Sequence, residues 1–398
     1  MKRFLGMLSA LALMVALLPV RIQAVELDVA GKSAVLMDVE TGTVLYEKNA
    51  HERLSPASVT KVMTMLLIME AVDSGKISWE DLVTASEEAA AKGGSQVYLK
   101  VGETMSVRDM VKSIAVSSAN DAASAMAEHI AGSESGFVEQ MNAKAKELGM
   151  NDTNFVNCTG LDDGEAAENH KTSAYDIALM SRELLKNHPK IKEFTTIWMD
   201  TIRNGEFGLS NTNKLVRFYS GCTGLKTGFT SGAGYCLSAS AKREGMELIA
   251  VVMGCETSKE RNAACKQLLD YGFANFAYIA PALPEGAVVP VTLGRADSVS
   301  AIVSGDTGLL IDKAQKSSVT TEMELLPSIA APVSRGQKLG TMTVRSGEQI
   351  LTQVPLVAAN GVERLNWGDL FVRTLRQVAM AGENRPRPPL VRLLFLSL

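Results

Sequence analysis

Histidine is scarce in this chain of 398 residues, and His51, His129, His170 and His188 form no His-x-x-x-His pair. That absence removes the helical zinc-hydrolase pattern. The five cysteines, Cys158, Cys222, Cys236, Cys255 and Cys265, show none of the spacings of a zinc site. Metal: none and cofactor: none are therefore the expectations. An odd number of cysteines leaves at least one unpaired thiol in an exported chain, and the plainest role for all five is as small buried hydrophobes, with pairing left open. Neither sign of charge dominates. The formal net charge is −4, so no nucleic acid partner is indicated. Aromatic residues supply only 5% of the chain, which leaves Ala, Val, Leu and Met to fill the interior. Internal repeats are lacking, as is low-complexity sequence ahead of the C-terminal tail.

Long apolar runs are also lacking, with one exception at the N-terminus. Lys2 and Arg3 precede an uncharged run over 4–20, too short for a comfortable membrane span and broken by Pro19. Ile22-Gln23-Ala24 then suits cleavage after Ala24, so residues 1–24 are expected to be a signal peptide and the protein exported. No cysteine stands beside that point, and lipid attachment is not indicated.

What is present fits two domains, since the chain is long and 46% hydrophobic. Residues 34–39 and 43–46 flank Glu40-Thr41-Gly42 and predict a β-hairpin. Ser55-Pro56-Ala57 leads into apolar positions Val59, Val62, Met63, Leu66 and Met69, which is helical spacing. Segments 107–130 and 174–185 are helix-rich, with a loop over 154–163. Strands are expected over 234–241 and 247–253, joined by a turn, and a helix from 259 to about 271. The order predicts an α/β fold, a sheet covered by helices, with the N-terminal hairpin rejoining the later strands.

From Pro281 the texture changes to short strands near 288–291, 300–303, 341–344 and 353–357, separated by Gly, Pro and Asp. A second, small all-β domain is expected there. Over 365–380, Trp367, Leu370, Phe371, Leu375 and Val378 share one helical face, while Asp369, Arg373, Arg376 and Gln377 lie mostly opposite. That is the pattern of an interfacial anchor, the alternative being a helix docked on the β domain. The expected division is 1–24 signal, 25–275 catalytic, 276–362 small β domain, 363–381 anchor helix and a tail over 382–398 with no assigned role.

Three short motifs carry chemistry. Ser58-x-x-Lys61 places a hydroxyl and an amine one turn apart on a helix start. A serine hydroxyl needs a neighbour to accept its proton. At an ordinary lysine pKa, deprotonation at pH 7 costs about 4.6 kcal/mol, so the site must depress Lys61 by desolvation or a second cation. Alone the motif is weak, with roughly one match expected by chance in such a chain, and a solvated lysine is the ordinary alternative. Ser118-Ala119-Asn120 offers a relay hydroxyl and an amide at a turn between helices. Lys226-Thr227-Gly228 precedes the strand pair. Its lysine can be the second cation, its threonine can donate to a carboxylate, and its glycine admits close approach of a ligand.

Each motif alone has a bland reading, but the three occur in the order and structural contexts of the β-lactamases and penicillin-binding proteins, which have Asp in the middle motif where this chain has Ala119. From 25 to 380 the sequence resembles the low-molecular-mass penicillin-binding proteins, the serine-type D-alanyl-D-alanine carboxypeptidases. Ser173-Ala174-Tyr175-Asp176 and Asn211-Thr212-Asn213 add to the likeness, as do 331–337 and 354–357 in the β domain. The resemblance implies a β-lactamase/transpeptidase-like fold and removal of the terminal D-alanine from a peptidoglycan stem pentapeptide, with β-lactam antibiotics as covalent inhibitors. It implies Ser58 as nucleophile, Lys61 as base and Ser118 as proton relay. Asn120 would hold the substrate backbone, and Lys226, Thr227 and Arg261 the terminal carboxylate. The N–H groups of Ser58 and Phe229 would form the oxyanion hole. For Arg261 the ordinary alternative is an exposed helix arginine. The implied location is the outer face of the cytoplasmic membrane, with the C-terminal helix on the membrane surface. A β-lactamase is the nearest rival and would need a positioned carboxylate, superficially offered by Glu165 or Glu168. A non-catalytic wall scaffold of the same fold is the rival from another class.

Overall fold

The structure, a computed structural model, describes residues 27–380 apart from 163, 164 and 306. The expected signal peptide and the tail over 382–398 lie outside the described residues.

The hairpin forms as predicted, from β1 (Ser33–Asp38) and β2 (Val44–Lys48). Its turn is held by Asp38, whose Oδ2 accepts from the Thr41 amide at 2.7 Å and the Thr41 hydroxyl at 2.8 Å. The helices follow: α1 (Lys61–Asp73), α2 (Val107–Ser117), α3 (Asn120–Ala131), α4 (Glu134–Glu147) and α5 (Ala174–Asn187). Then come β3 (Cys222–Thr230), β4 (Gly234–Arg243), β5 (Met246–Cys255) and α6 (Ser258–Asn275). The five strands make one antiparallel sheet in the order β2-β1-β5-β4-β3. The hairpin thus rejoins the later strands through β1 on β5.

Both faces of this sheet are covered, and strand alternation divides the core between them. On β5, Ile249, Val251 and Met253 face the layer of α1, α2, α3 and α5, while Leu248, Ala250 and Val252 face α6. Helix α1 is central: every residue from Lys61 to Met69 is buried. Apolar spacing identified the helix but indicated one buried face, whereas a helix enclosed on all sides is apolar all round.

One strand escaped the sequence reading. The Lys226 motif precedes the strand pair β4–β5 as expected, and it lies within a further strand, β3, at the edge of the sheet. Gly224 and Gly228 dilute its β-pattern.

The C-terminal region is a six-stranded sheet: β6 (Val288–Thr292), β7 (Ser298–Val303), β8 (Val319–Leu325), β9 (Ile329–Ala330), β10 (Lys338–Ser346) and β11 (Gln349–Ala358). They run in the order β8-β10-β11-β7-β6-β9 around a core that includes Val289, Leu339, Met342, Val344 and Leu356. The last element is α7 (Trp367–Met380). Trp367 is 90% exposed, and Phe371 and Leu375 are exposed with it, so the helix does not bury its apolar face on the β sheet. An ion pair between Arg295 and Asp369 at 3.2 Å joins the start of α7 to that sheet.

Candidate active site

Ser58 stands on a 3-10 turn, Ala57–Thr60, which leads directly into α1. Lys61 is the first residue of that helix and has no exposed surface. Its Nζ donates to Ser58 Oγ at 2.9 Å and to the Thr159 carbonyl at 2.9 Å. Burial lowers the Lys61 pKa to about 7, because an ammonium loses its hydration inside the protein. The expected cause was partly Lys226. Burial is the main depressing influence on Lys61, and the two amines, both buried, repel each other when both are charged. Lys226 is pushed well below the ordinary lysine range by burial, then by Lys61 and Arg261.

Ser118 caps α2 in the left-handed region, at φ 63°, and is buried. Its backbone N–H donates to Ser113 O. Among the described residues no hydrogen bond joins Ser118 to Ser58 or Lys61. Asn120 opens α3. Its amide N–H donates to Ser95 O at 2.7 Å, and its Nδ2 to Gly93 O at 2.7 Å, while the buried Oδ1 has no partner. Asp121 next to it accepts from the amides of Val97 and Leu99, which holds the 93–99 loop against this helix. An orphaned buried acceptor at the site wall is a place for a substrate N–H, since burial without a partner is costly.

On β3, Lys226 is 1% exposed and its Nζ donates to Thr227 O at 3.0 Å. Thr227 Oγ1 donates to Thr212 Oγ1 at 2.7 Å. Gly228 also meets a packing requirement of the protein itself. A Cβ there would stand 2.6 Å from Pro56 O and 3.1 Å from Ser58 N. The glycine thus admits the protein's own Ser58 turn against β3. Phe229 is half exposed and stacks on Tyr235, centroids 4.2 Å apart. Arg261 is not an exposed helix arginine: it is 6% exposed in α6, with its guanidinium 5.8 Å from the Tyr235 ring. Its Nε and Nη2 donate only to Asn262 Oδ1, both at 3.1 Å, and among the described residues no carboxylate pairs with it. A buried cation without a counter-ion, near Lys226, suits an anionic ligand group.

Three contributors went unread in the sequence. Thr159 acts through its backbone carbonyl, which carries no side-chain signal. Gly160, at φ +82°, lies so close to Ala57 O that any Cβ would overlap it. Thr212 was noted only as part of a resemblance, although its hydroxyl orients Thr227. Of the two glutamates that superficially matched a deacylating base, Glu168 is exposed and makes no hydrogen bond among the described residues; nothing is described of the Glu165 side chain. All five cysteines are free thiols, four of them buried.

The arrangement sets a serine hydroxyl against a buried amine whose pKa is lowered to about 7, beside the buried side chains of Lys226 and Arg261, and so can support nucleophilic chemistry at Ser58. Comparison with known proteins agrees with that chemistry. The family model described as D-alanyl-D-alanine carboxypeptidase matches residues 20–257, and the one described as penicillin-binding protein 5, C-terminal domain, matches 282–364. The D-alanyl-D-alanine carboxypeptidase DacF of Bacillus subtilis is 44% identical over 357 residues, covering 88% of this chain and 90% of that one. The crystal structure of penicillin binding protein 5 from Haemophilus influenzae superposes with a TM-score of 0.70 at 33% identity, over 85% of this chain and 98% of that chain. Penicillin-binding protein D2 of Listeria monocytogenes, in its ampicillin-bound form, gives a TM-score of 0.57 at 34% identity over 62% of this chain and 99% of that chain. The chain belongs to the D-alanyl-D-alanine carboxypeptidase family, within the penicillin-binding proteins.

Proposed function

We propose that the chain removes the terminal D-alanine from peptidoglycan stem pentapeptides through an acyl-enzyme on Ser58. Lys61 Nζ takes the Ser58 proton as Oγ attacks the carbonyl between the two D-alanines. The N–H groups of Ser58 and Phe229 receive the oxyanion, a contribution often worth several kcal/mol. The proton passes through Ser118 to the departing amine, and the C–N bond breaks to leave an ester on Ser58. Water then cleaves the ester, with Lys61 again accepting a proton. Asn120 holds the substrate backbone. Lys226, Thr227 and Arg261 take the terminal carboxylate. β-Lactams acylate the same serine and leave slowly.

The observation that carries this reading is the 2.9 Å bond between a fully buried Lys61 and Ser58. The exposed apolar face of α7 supports a place on the outer face of the cytoplasmic membrane, with the helix lying in the interface. The division into a catalytic unit over 25–275 and a β unit over 276–362 is part of the same proposal. The test is intact mass against time with benzylpenicillin, beside Ser58→Ala, followed by D-alanine release from a pentapeptide. A lasting adduct on the native chain alone, with D-alanine release, is the expected result. Rapid drug consumption without an adduct points to a β-lactamase, and an inert chain points to a scaffold.

A further inference from the structure

We propose that His170 is a positioning residue that sets the geometry of the Ser58 turn through Thr60. The two ends of the connection are 110 residues apart in sequence and meet in the interior. The amide N–H of Val156 donates to His170 Nδ1 at 3.1 Å. His170 Nε2 lies 2.8 Å from Thr60 Oγ1, and Thr60 Oγ1 donates to Ala57 O at 2.8 Å. These bonds fix their own direction. An amide can only donate, so Nδ1 is the acceptor and the ring proton sits on Nε2. The threonine proton goes to Ala57 O, so Oγ1 receives from Nε2. A neutral imidazole in one tautomer satisfies the whole series. Burial supports that state, lowering the His170 pKa to about 4.

The series ends where the backbone is strained. Ala57, immediately before the nucleophile, has φ +48°, a region that costs an L-residue about 1 kcal/mol or more. Its carbonyl is held by the Thr60 hydroxyl and closely approached by Gly160. The loop bearing Val156 also holds the base: Cys158 O accepts from Thr64 Oγ1 at 2.6 Å, and Thr159 O accepts from Lys61 Nζ. One short segment therefore fixes Lys61 directly and the Ser58 turn through His170. Without the histidine, Ala57 can relax towards ordinary backbone angles and Ser58 Oγ swings away from Lys61. His170 does not reach Lys226, Thr227 or Arg261 in any hydrogen bond among the described residues, so its loss acts on the chemical step and spares ligand binding.

The inference rests on Ser58 being the nucleophile, and the experiment separates the two. Acylation by benzylpenicillin is followed over a concentration series for the wild type, Thr60→Val, Thr60→Ser and His170→Leu. Thermal midpoints establish that each is folded. Thr60→Val keeps the shape and removes the middle link, so the test survives even where His170→Leu fails to fold. The maximal acylation rate is expected to fall about tenfold or more in Thr60→Val and His170→Leu, since a misplacement near 1 Å can cost about a hundredfold. The half-saturating concentration stays within about twofold, Thr60→Ser restores the rate, and the Thr60→Val/His170→Leu double variant is no slower than the worse single. Wild-type rates in folded Thr60→Val, or a Thr60→Ser variant as slow as Thr60→Val, overturn the inference alone. A wild type that forms no adduct overturns the Ser58 reading and the inference with it.

Discussion

A lysine with no exposed surface keeps its proton only at a free-energy cost, and in the proposed mechanism Lys61 turns that cost into reactivity. Its pKa of about 7 places roughly half of the folded molecules in the neutral, proton-accepting form at neutral pH. Acylation is therefore expected to rise with pH to a plateau above about 7 and to fall about tenfold per unit below it. A stopped-flow pH series checks this, and a profile flat from pH 5 to 9 would remove Lys61 as the base. The same shift has a stability consequence. Between about 7 and 10.5 the unfolded chain carries the lysine proton and the native chain does not, so this group makes stability increase with pH across that window. At Arg261 the expectation differs in kind. Among the described residues the buried guanidinium has no carboxylate partner, so Arg261→Gln removes charge where an anion is proposed to bind. The half-saturating substrate concentration should rise about tenfold or more, with a smaller change in maximal rate. An unchanged half-saturation would place the carboxylate elsewhere.

At the scale of elements, the site is a meeting of a helix start, a helix-to-helix turn and a strand edge. Legibility differed among the three. Ser58 and Lys61 were readable because helical spacing puts residues three apart on one face, which is local geometry. The contacts between elements were not. Nothing in the local sequence announces that Gly228 is small because the Ser58 turn presses on β3, or that a main-chain carbonyl at Thr159 is the second partner of Lys61. Strand β3 itself was missed, since an edge strand with glycines lacks the apolar alternation that marked β4 and β5. Strand β8 was missed for a related reason: Thr320, Glu322 and Glu324 alternate with residues that are only half buried. Gly228→Ala tests the close approach. The added methyl meets backbone atoms that have no room to shift, so the variant should fold with lowered stability and lose most of its acylation rate. A Gly228→Ala variant with native acylation would show that β3 and the turn are free to separate.

On the scale of the whole molecule, the catalytic sheet and the C-terminal sheet have separate cores, with no buried apolar residue shared between them. Their junction is narrow: residues Phe276–Ile279 pair with Leu309–Asp312, and Lys313 Nζ donates to Phe273 O at 3.0 Å. None of the proposed catalytic groups lies near that junction, so the β unit and α7 have no evident part in acylation. Under the proposed function, their contribution is to where the reaction happens. Trp367, Phe371 and Leu375 offer an apolar face that water leaves unpaired, and insertion of such a face into an interface is favourable in proportion to the area buried. The mature chain is expected to sediment with anionic vesicles, and Trp367→Ala/Phe371→Ala to remain in the supernatant with an unchanged benzylpenicillin acylation rate. Release of D-alanine from a soluble pentapeptide should be equal in the two proteins. Release from substrate embedded in the same vesicles should be slower in the variant, because tethering raises the effective concentration of enzyme at the surface. Should the variant still sediment, α7 is not the anchor; should it lose acylation as well, the C-terminal unit is coupled to the active site through the junction at Phe276–Ile279, and the two sheets do not work as independent bodies.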